Sequence, residues 1–141
     1  MIKVKKLFDD TKLPLKAKNG DAGFDVFSRE KITIWPAQRY CFSLGFAIEI
    51  PSGYVALIQA KSGMALKNGI TTIGNVIDSG YRGECHAILL NTSENILKIE
   101  IGQKIAQLLI MPCYTEMEIS EVIELQNSAR DINGFGSTGK F

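Results

Sequence analysis

GNVIDSGYRGECHAILLN, residues 74–91, contains two apolar segments of β-strand character on either side of a polar turn. Residues 76–77 are a β-branched Val-Ile pair that suits a short buried strand, and Cys85–Leu90 is an apolar run of strand length. The residues between them include two glycines, which adopt positive φ without steric cost and favour a tight turn. The stretch therefore predicts a β-hairpin with Asp78 and Tyr81 at its tip.

Asp78 has two interpretations at this position. An aspartate in a turn usually hydrogen-bonds its own backbone and has no further role. In the second interpretation, the carboxylate and the ring of Tyr81 face a ligand at the hairpin tip. The choice between them depends on which polar residues occur in the rest of the chain.

Short strand patterns recur along the whole chain, and Gly, Pro and Asn separate them at intervals of roughly 8–12 residues. With 141 residues, the chain fits one domain. We predict an all-β fold, a jelly-roll-like barrel or sandwich, with a blunted edge strand first and a bulge or close approach at Gly45. The predicted strands lie within Met1–Asp10, Ala22–Ser28, Lys31–Ile34, Tyr40–Pro51, Tyr54–Ala60, residues 76–77, Cys85–Leu90, Ile96–Ile101, Lys104–Met111 and Met117–Leu125.

One short helix and a polar tail complete the prediction. The helix spans Ser62–Lys67, with Ser62 as its N-cap. The β domain comprises residues 1–125, and residues 126–141 form a flexible, Gly-rich C-terminal tail. Gly134–Lys140 has the spacing of a phosphate-binding loop, but only Phe141 follows it, so we do not expect a strand-loop-helix P-loop. Its backbone N–H groups and hydroxyls could still line an anion.

Composition and charge exclude several classes of protein. The net charge is +1, whereas a nucleic-acid-binding domain is usually clearly basic. There is no signal-peptide pattern and no apolar run of about 18 residues, so we expect neither secretion nor a membrane span. The three scattered cysteines, Cys41, Cys85 and Cys113, predict buried, reduced thiols in a cytoplasmic protein.

Three further positions are candidates for ligand binding. Lys61–Gly63 offers a cation, a hydroxyl and helix-terminal N–H groups, which together favour a phosphate. Gln107 interrupts an apolar strand, so it either faces solvent or hydrogen-bonds a ligand. Asp25 lies inside an apolar strand, and a buried carboxylate there would need a partner.

Taken together, these segments resemble the trimeric dUTPase (deoxyuridine triphosphatase) family. Five short motifs occur in the family's order and near its spacing, and they span almost the whole chain. They are Ala22–Ser28 (AGFDVFS), Lys61–Ala65 (KSGMA), Asn75–Glu84 (NVIDSGYRGE), Gly102–Pro112 (GQKIAQLLIMP) and Arg130–Gly139 (RDINGFGSTG). Five such matches in order are highly specific, whereas a single one would mean little.

The resemblance implies a jelly-roll-like subunit in a homotrimer with shared active sites. The implied reaction is the hydrolysis of dUTP to dUMP and pyrophosphate, which limits uracil incorporation into DNA and supplies dUMP for dTMP synthesis. The implied cofactor is Mg²⁺, bound through the substrate phosphates with no metal-ligating residue of the protein. The expected partners are dUTP and two further copies of the chain, and neither nucleic acid nor membrane.

The resemblance also implies residue roles. Asp78 orients and activates the attacking water at the α-phosphorus, and Asp25 supports the catalytic site. Tyr81 packs on the deoxyribose and leaves no room for a 2′-hydroxyl. The other implied site residues are Gln107, Lys61, Ser62, Gly63, Arg130, Gly136, Ser137 and Thr138 at the phosphates, Asn75 and Ile77 at the uracil edge, and Phe135 over the uracil ring.

The sequence departs from the family pattern at five positions. Lys61 replaces the usual Arg, and lysine is a point charge that cannot grip two phosphate oxygens as a fork. Asn75 replaces the usual Gly near the uracil edge, and Gly80 stands where a second Asp is common. Asp131 and Asn133 replace residues that are often Gly, which could stiffen the tail.

Two alternatives remain open from the sequence. A dCTP deaminase shares the fold, but that family typically has Phe where Tyr81 stands and uses additional residues to deaminate cytosine. A non-catalytic regulatory protein could use the same fold to bind a protein partner. Asp78 and the tail with Phe135 favour the dUTPase over both.

Overall fold

The computed structural model describes residues 1–128 and 132, which form ten β-strands and one short α-helix without buried residues. The strands are short because glycines, prolines and polar turns interrupt the apolar segments. The elements are β1 (Lys3–Lys6), β2 (Phe24–Phe27), β3 (Ile32–Ile34), β4 (Arg39–Glu49), β5 (Tyr54–Gln59), α1 (Ser62–Asn68), β6 (Ile70–Ile73), β7 (Val76–Ile77), β8 (Glu84–Asn91), β9 (Leu97–Ile99) and β10 (Lys104–Pro112).

The strands form two four-stranded sheets and one two-stranded ribbon. The first sheet has the order β1-β4-β8-β6 and the second has the order β2-β10-β5-β7, and β3 pairs with β9. All pairings between named strands are antiparallel, and neighbours in space are mostly distant in sequence. This is the jelly-roll arrangement, so the predicted fold class is confirmed. β1 pairs only with β4, as expected for an edge strand.

The core lies between the sheets and consists of side chains that alternate along each strand. In β8, Cys85, Ala87 and Leu89 are buried, whereas His86 between them is exposed. The largest fully buried side chains are Phe42, Phe46, Ile34, Leu44, Ile48, Ile58, Ile70, Leu89, Ile99, Ile105, Leu108 and Val26. No helix in the described part of the chain is long and apolar enough to cross a bilayer.

The bulge predicted at Gly45 is present. Ser43 pairs with His86 and Ala47 pairs with Glu84, so three residues of β4 face a single residue of β8. Gly45 has a φ of 73°, which is in the left-handed region that glycine adopts readily. The bulge makes β4 irregular directly opposite Cys85, the second residue of β8.

The hairpin predicted from residues 74–91 is wrong in its pairing. β7 pairs with β5, in the second sheet, whereas β8 pairs with β4 and β6 in the first. The segment that contains Asp78 therefore connects the two sheets instead of closing a two-stranded hairpin. Local pattern identified both strands, but it does not specify which strands they pair with.

The strand predicted at Met117–Leu125 is also wrong, because the chain there is irregular and exposed after β10 ends. Two smaller predictions need correction as well. The N-cap of α1 is Lys61 and not Ser62, and no side chain caps the helix start. All three cysteines are free, but only Cys85 is buried, since Cys41 and Cys113 are exposed.

Candidate active site

Asp78 lies directly after β7 at a cleft of about 180 Å³. The lining residues are Gly74, Val76, Ile77, Asp78, Tyr81, Glu84, Cys85 and His86. The main-chain carbonyl of Asp78 accepts a hydrogen bond from the N–H of Tyr81 at 3.1 Å, which closes the predicted turn. Its carboxylate is exposed and has no hydrogen-bond or ion-pair partner among residues 1–128 and 132. The carboxylate therefore does not cap its own turn.

The ring of Tyr81 is held against the backbone that follows it. Its hydroxyl donates to the main-chain oxygen of Glu84 at 2.9 Å. A Cβ atom on Gly83 would lie 2.4 Å from the Tyr81 hydroxyl oxygen, so the ring can take this position only because residue 83 is glycine. Tyr81 is still 44% exposed, which leaves part of the residue available to a ligand.

Two other features fix the backbone of this segment. The Arg82 guanidinium donates to the main-chain oxygens of Ser79 at 2.6 Å and Tyr81 at 2.8 Å. At the other end, the main-chain oxygen of Asn75 accepts a hydrogen bond from Ile58 N at 2.9 Å. The segment is therefore anchored before and after Asp78.

A second cleft, of about 330 Å³, lies at the start of α1. Its lining includes Lys61, Ser62, Gly63 and Gln107. Ser62 is exposed and makes no capping hydrogen bond, so its hydroxyl is free to contact a ligand. Gln107 is half-buried and does not simply face solvent, because its Nε2 donates to the main-chain oxygen of Ala60 at 3.1 Å.

Asp25, beside this cleft, is buried between two lysines. Lys61 Nζ contacts one carboxylate oxygen, and Lys104 Nζ lies 2.7 Å from the other. Burial by itself would raise the pKa of the Asp25 carboxyl, but the hydrogen bonds and positive charges of Lys104 and Lys61 outweigh it and lower the pKa. The carboxylate is thus ionised and occupied, as the need for a partner predicted.

Sequence reasoning missed two residues that the structure brings to these clefts. Lys104, the second cation on Asp25, lies three residues before Gln107 in the same motif, and that proximity was the available signal. Glu84 lines the Asp78 cleft but was noted only as the last residue of a motif. Its contacts involve the bulge in β4, and local pattern gives no indication of them.

The two clefts share no lining residue and lie toward opposite ends of β5. Ile77 pairs with Ala56 in the antiparallel β5–β7 ladder, so Asp78 continues toward the start of β5. Lys61 follows the end of β5, five residues beyond Ala56. At about 3.3 Å per residue, the two side chains originate roughly 15–20 Å apart within one chain.

The predicted site residues Arg130, Phe135, Gly136, Ser137 and Thr138 lie outside the residues that the structure describes. Their roles, and the division of the chain at residue 125, stay predictions.

A family model described as dUTPase matches residues 9–139. The chain belongs to the dUTPase family. Among dUTPases, the deoxyuridine 5′-triphosphate nucleotidohydrolase of Clostridium novyi is 44% identical over 138 residues, covering 96% of each protein. That of Clostridium tetani is 45% identical over 141 residues, covering 99% of this chain and 97% of the relative. The family predicted from the five motifs is therefore confirmed.

Solved dUTPase structures have the same fold. The Staphylococcus bacteriophage 80alpha dUTPase with dUpNHpp has a TM-score of 0.91 at 29% identity, covering 99% of this chain and 98% of that one. A mutant dUTPase from phage phi11 of S. aureus has a TM-score of 0.82 at 25% identity, covering 90% and 99%. The phi11 structure reveals the coordination of a structural Mg(II) ion in that protein.

Proposed function

We propose that this chain hydrolyses dUTP to dUMP and pyrophosphate, at sites shared between the subunits of a homotrimer. The observation that supports the chemistry most directly is the exposed Asp78 carboxylate, which has no partner among residues 1–128 and 132 and is held by a fixed turn at a cleft of a dUTPase-family chain. A carboxylate in this state can accept a proton. A buried and paired one, such as Asp25, cannot do so without breaking its ion pairs.

Asp78 would act on water and not on the substrate itself. Water is a poor nucleophile, and a carboxylate within hydrogen-bond distance can orient it and take its proton as it attacks phosphorus. Attack at the α-phosphorus forms the new oxygen–phosphorus bond of dUMP and releases the β- and γ-phosphates together as pyrophosphate. The open side of the Asp78 carboxylate leaves room for such a water.

The second cleft would bind the triphosphate. Lys61 supplies a cation, and Ser62 and the Gln107 amide supply neutral donors. Asp25 is outnumbered by Lys61 and Lys104, so the cluster has an excess of one positive charge beside the cleft. This net positive charge would attract an anion into the cleft. When no anion is bound, Asp25 pairs with both lysines, so neither ammonium group is left uncompensated.

Mg²⁺ would reach the site on the substrate. Within residues 1–128 and 132, no group of three or more His, Cys, Asp or Glu side chains is arranged to hold a metal ion. The second cleft is lined by two lysines, Lys61 and Lys67, and by neutral polar groups but by no carboxylate, which suits phosphate oxygens better than Mg²⁺. When bound to the triphosphate, Mg²⁺ offsets negative charge that would otherwise oppose attack by water.

The nucleoside would bind in the Asp78 cleft. Tyr81 would offer one ring face to the deoxyribose, and Ile77, which lines the cleft, and Asn75, two residues before it, would meet the uracil edge. Since the Asn75 carbonyl is occupied by Ile58, recognition at residue 75 would use its N–H or its side chain. Phe135 would cover the uracil, and Arg130, Gly136, Ser137 and Thr138 would complete the phosphate contacts.

The trimeric assembly is supported by two observations on the single chain. The Asp78 cleft and the cleft at the start of α1 share no lining residue and lie toward opposite ends of β5, as expected where parts of different subunits bind one substrate. In addition, the segment after β10 exposes large apolar side chains, a pattern typical of a surface that a partner covers. These are Met117, Ile119, Val122, Ile123 and Leu125. A three-fold ring provides the required contact between unlike patches of neighbouring subunits.

Pyrophosphate release from dUTP, dCTP, dTTP and UTP with Mg²⁺ tests the reaction directly. We expect release from dUTP alone at a substantial rate. Ammonia release from dCTP would instead identify a deaminase, and a purified trimer inactive on all four nucleotides would support the non-catalytic alternative. A cytoplasmic location belongs to the same proposal, and fractionation of the source cells tests it.

Co-assembly of two inactive chains tests the shared site. One chain is truncated before Arg130 and so lacks the tail, and the other contains Asp78→Asn. With random equal mixing, about a quarter of the sites regain both parts if these come from different subunits. Activity of the mixed trimers no higher than that of either parent would mean that the tail acts on the Asp78 of its own subunit or is not part of the site.

A further inference from the structure

Glu84, the first residue of β8, is attached to the bulged strand β4 through its side chain. Its Oε1 accepts a hydrogen bond from the N–H of Gly45 at 2.9 Å and another from the hydroxyl of Ser43. Arg29 Nη1 donates to the same Ser43 hydroxyl at 3.1 Å, which leaves the hydroxyl hydrogen for Glu84. The carboxylate is only 24% exposed and lies 3.9 Å from His86 Nε2.

The bulge explains why Gly45 needs a side-chain partner. Gly45 lies among the three residues of β4 that face Cys85 alone, so its N–H has lost the strand partner that a regular ladder would give. Its carbonyl is satisfied by Leu7 N at 2.8 Å and Thr11 Oγ1 at 2.9 Å. Glu84 thus completes the hydrogen bonding of a rigid, buried point in the sheet.

The charge state of Glu84 is consistent with this attachment. Burial alone would raise the pKa of its carboxyl, but the hydrogen bonds from Ser43 and Gly45, with the charges of His86 and Arg29, outweigh burial and lower the pKa. The group is therefore an ionised acceptor for two donors. It is not a free acid facing the cleft.

From Glu84 the contacts continue to the catalytic segment. The Tyr81 hydroxyl donates to the main-chain oxygen of Glu84, and the Tyr81 N–H donates to the main-chain oxygen of Asp78. Each link is a hydrogen bond of ordinary length, at 2.9 and 3.1 Å. A displacement of the start of β8 would therefore move the ring and the carboxylate together.

We infer that Glu84 is a positioning residue for the reaction: by fixing the start of β8 to the bulge at Gly45, it sets where Tyr81 and Asp78 meet the nucleotide. The inference rests on the proposed dUTP hydrolysis. It requires no contact between Glu84 and the substrate. It assigns to Glu84 the discrimination between deoxyribose and ribose, exerted through the ring of Tyr81.

The experiment compares Glu84→Ala, Glu84→Gln and Asn91→Ala. Glutamine keeps the Oε1 acceptor for Gly45 and Ser43, whereas alanine removes it. Asn91 is the matched control, because it is a buried polar residue at the other end of β8 whose Nδ2 donates to Ile34 O at 3.1 Å and Asn95 O at 2.7 Å. For each variant, kcat and KM are measured with dUTP and UTP, together with Tm.

We expect Glu84→Ala to lower kcat/KM for dUTP by up to about 10²-fold, the effect of misplacing catalytic groups by about 1 Å. The dUTP/UTP ratio of kcat/KM should fall as well, and Glu84→Gln should restore most of both. Asn91→Ala should lower Tm but keep the ratio. An unchanged ratio in Glu84→Ala, or an equal fall in Asn91→Ala, would overturn the inference and leave Glu84 with a purely structural role.

A second variant covers the case in which Glu84→Ala does not fold. Ser43→Ala removes one of the two donors to Glu84 Oε1 and leaves the hydrogen bond from Gly45. It should therefore lower the dUTP/UTP ratio of kcat/KM by a smaller factor than Glu84→Ala does. No change in that folded variant would also contradict the inference. The unmodified chain separates this result from the proposed function, because its own rejection of UTP is measured first.

Discussion

Asp78 and Asp25 are the same residue type in opposite environments. The Asp78 carboxylate is exposed and has no partner in the described part of the chain, whereas that of Asp25 is buried and bonded to two lysines. Asp78 follows a two-residue strand in a connecting segment, and Asp25 lies inside β2, paired with Gln107 of β10. Both had appeared in the sequence as candidate catalytic residues.

The difference separates a group that can react from a group that organises other groups. An exposed carboxylate can change its hydrogen bonds during a reaction at little cost. A carboxylate held by two ammonium groups cannot, because any proton it accepts breaks both ion pairs. The comparison therefore supports the proposal that Asp78 takes the proton of water and that Asp25 places positive charge at the proposed phosphate cleft.

The largest effect should come from Asp78→Asn. Asparagine keeps the size of the side chain but cannot accept the proton of water, so kcat should fall by about 10²–10⁴-fold, the usual contribution of a positioned general base. Tm should not fall, since the Asp78 carboxylate has no partner in the part of the chain that the structure describes. Asp9→Asn, another exposed carboxylate, is the control and should keep full activity. Near-normal turnover in Asp78→Asn would remove the basis of the comparison.

Tyr81→Ala tests the other functional group of the Asp78 cleft. Loss of the ring should narrow the dUTP/UTP ratio of kcat/KM by up to about 10²-fold, roughly what a closed apolar surface achieves against an added hydroxyl. Tyr81→Phe keeps the ring but loses the hydrogen bond to Glu84 that positions it, so the ratio should narrow in the same direction by a smaller factor. An unchanged ratio in Tyr81→Ala would mean that the ring does not meet the sugar.

Asp25→Asn should lower the free energy of unfolding and have a smaller effect on turnover. It removes the counter-charge of Lys61 and Lys104, at an expected cost of about 1–2 kcal/mol, which is modest because both ammonium groups reach solvent. Asp10→Asn breaks an exposed ion pair with Arg29 and should cost less. Denaturant unfolding of both variants measures the difference. Equal costs would mean that Asp25 is no more than a surface charge.

The effect of Asp25→Asn on stability should depend on pH. Because the pKa of Asp25 is lowered in the folded chain, its stabilisation is fully present above the ordinary value of about 3.9 and is lost as pH falls through the lowered pKa. The stability difference between the native chain and Asp25→Asn should therefore be constant near neutral pH and shrink below about pH 4. A difference that grows on acidification would contradict the ion pairs.

Lys61→Arg should have the smallest effect. Arginine can bind two phosphate oxygens as a fork, so KM for dUTP should fall by about 2–5-fold while kcat changes little. The ion pair with Asp25 should survive, since arginine can make it too. Lys98→Arg, on the exposed side of β9, is the control for charge-preserving substitution. A rise in KM would mean that the lysine geometry is already matched to this site.

Sequence pattern predicted the strands well and their partners poorly. The segments around β2, β4, β5 and β10 were located because apolar periodicity and turn residues are local properties. The predicted pairing of β7 with β8 was wrong. A two-residue strand has almost no pattern of its own, and its actual partner, β5, is far away in the sequence. Residues 117–125 have the apolar content of a strand, but they form none in the described part of the chain, because apolar content alone does not supply a pairing partner.

The sequence by itself determined which functional groups are available to the clefts and their order along the chain. It placed an acid and a ring three residues apart, with a glycine at 83 that leaves room for that ring. Only the tertiary structure decided which carboxylate is free and which is held. Lys61 and Lys104 are far from Asp25 in sequence, and Glu84 meets its donors only across the bulge of β4. The physical reason is that the pKa and orientation of a carboxylate depend on burial and on neighbouring charges, and both are created when distant strands pair.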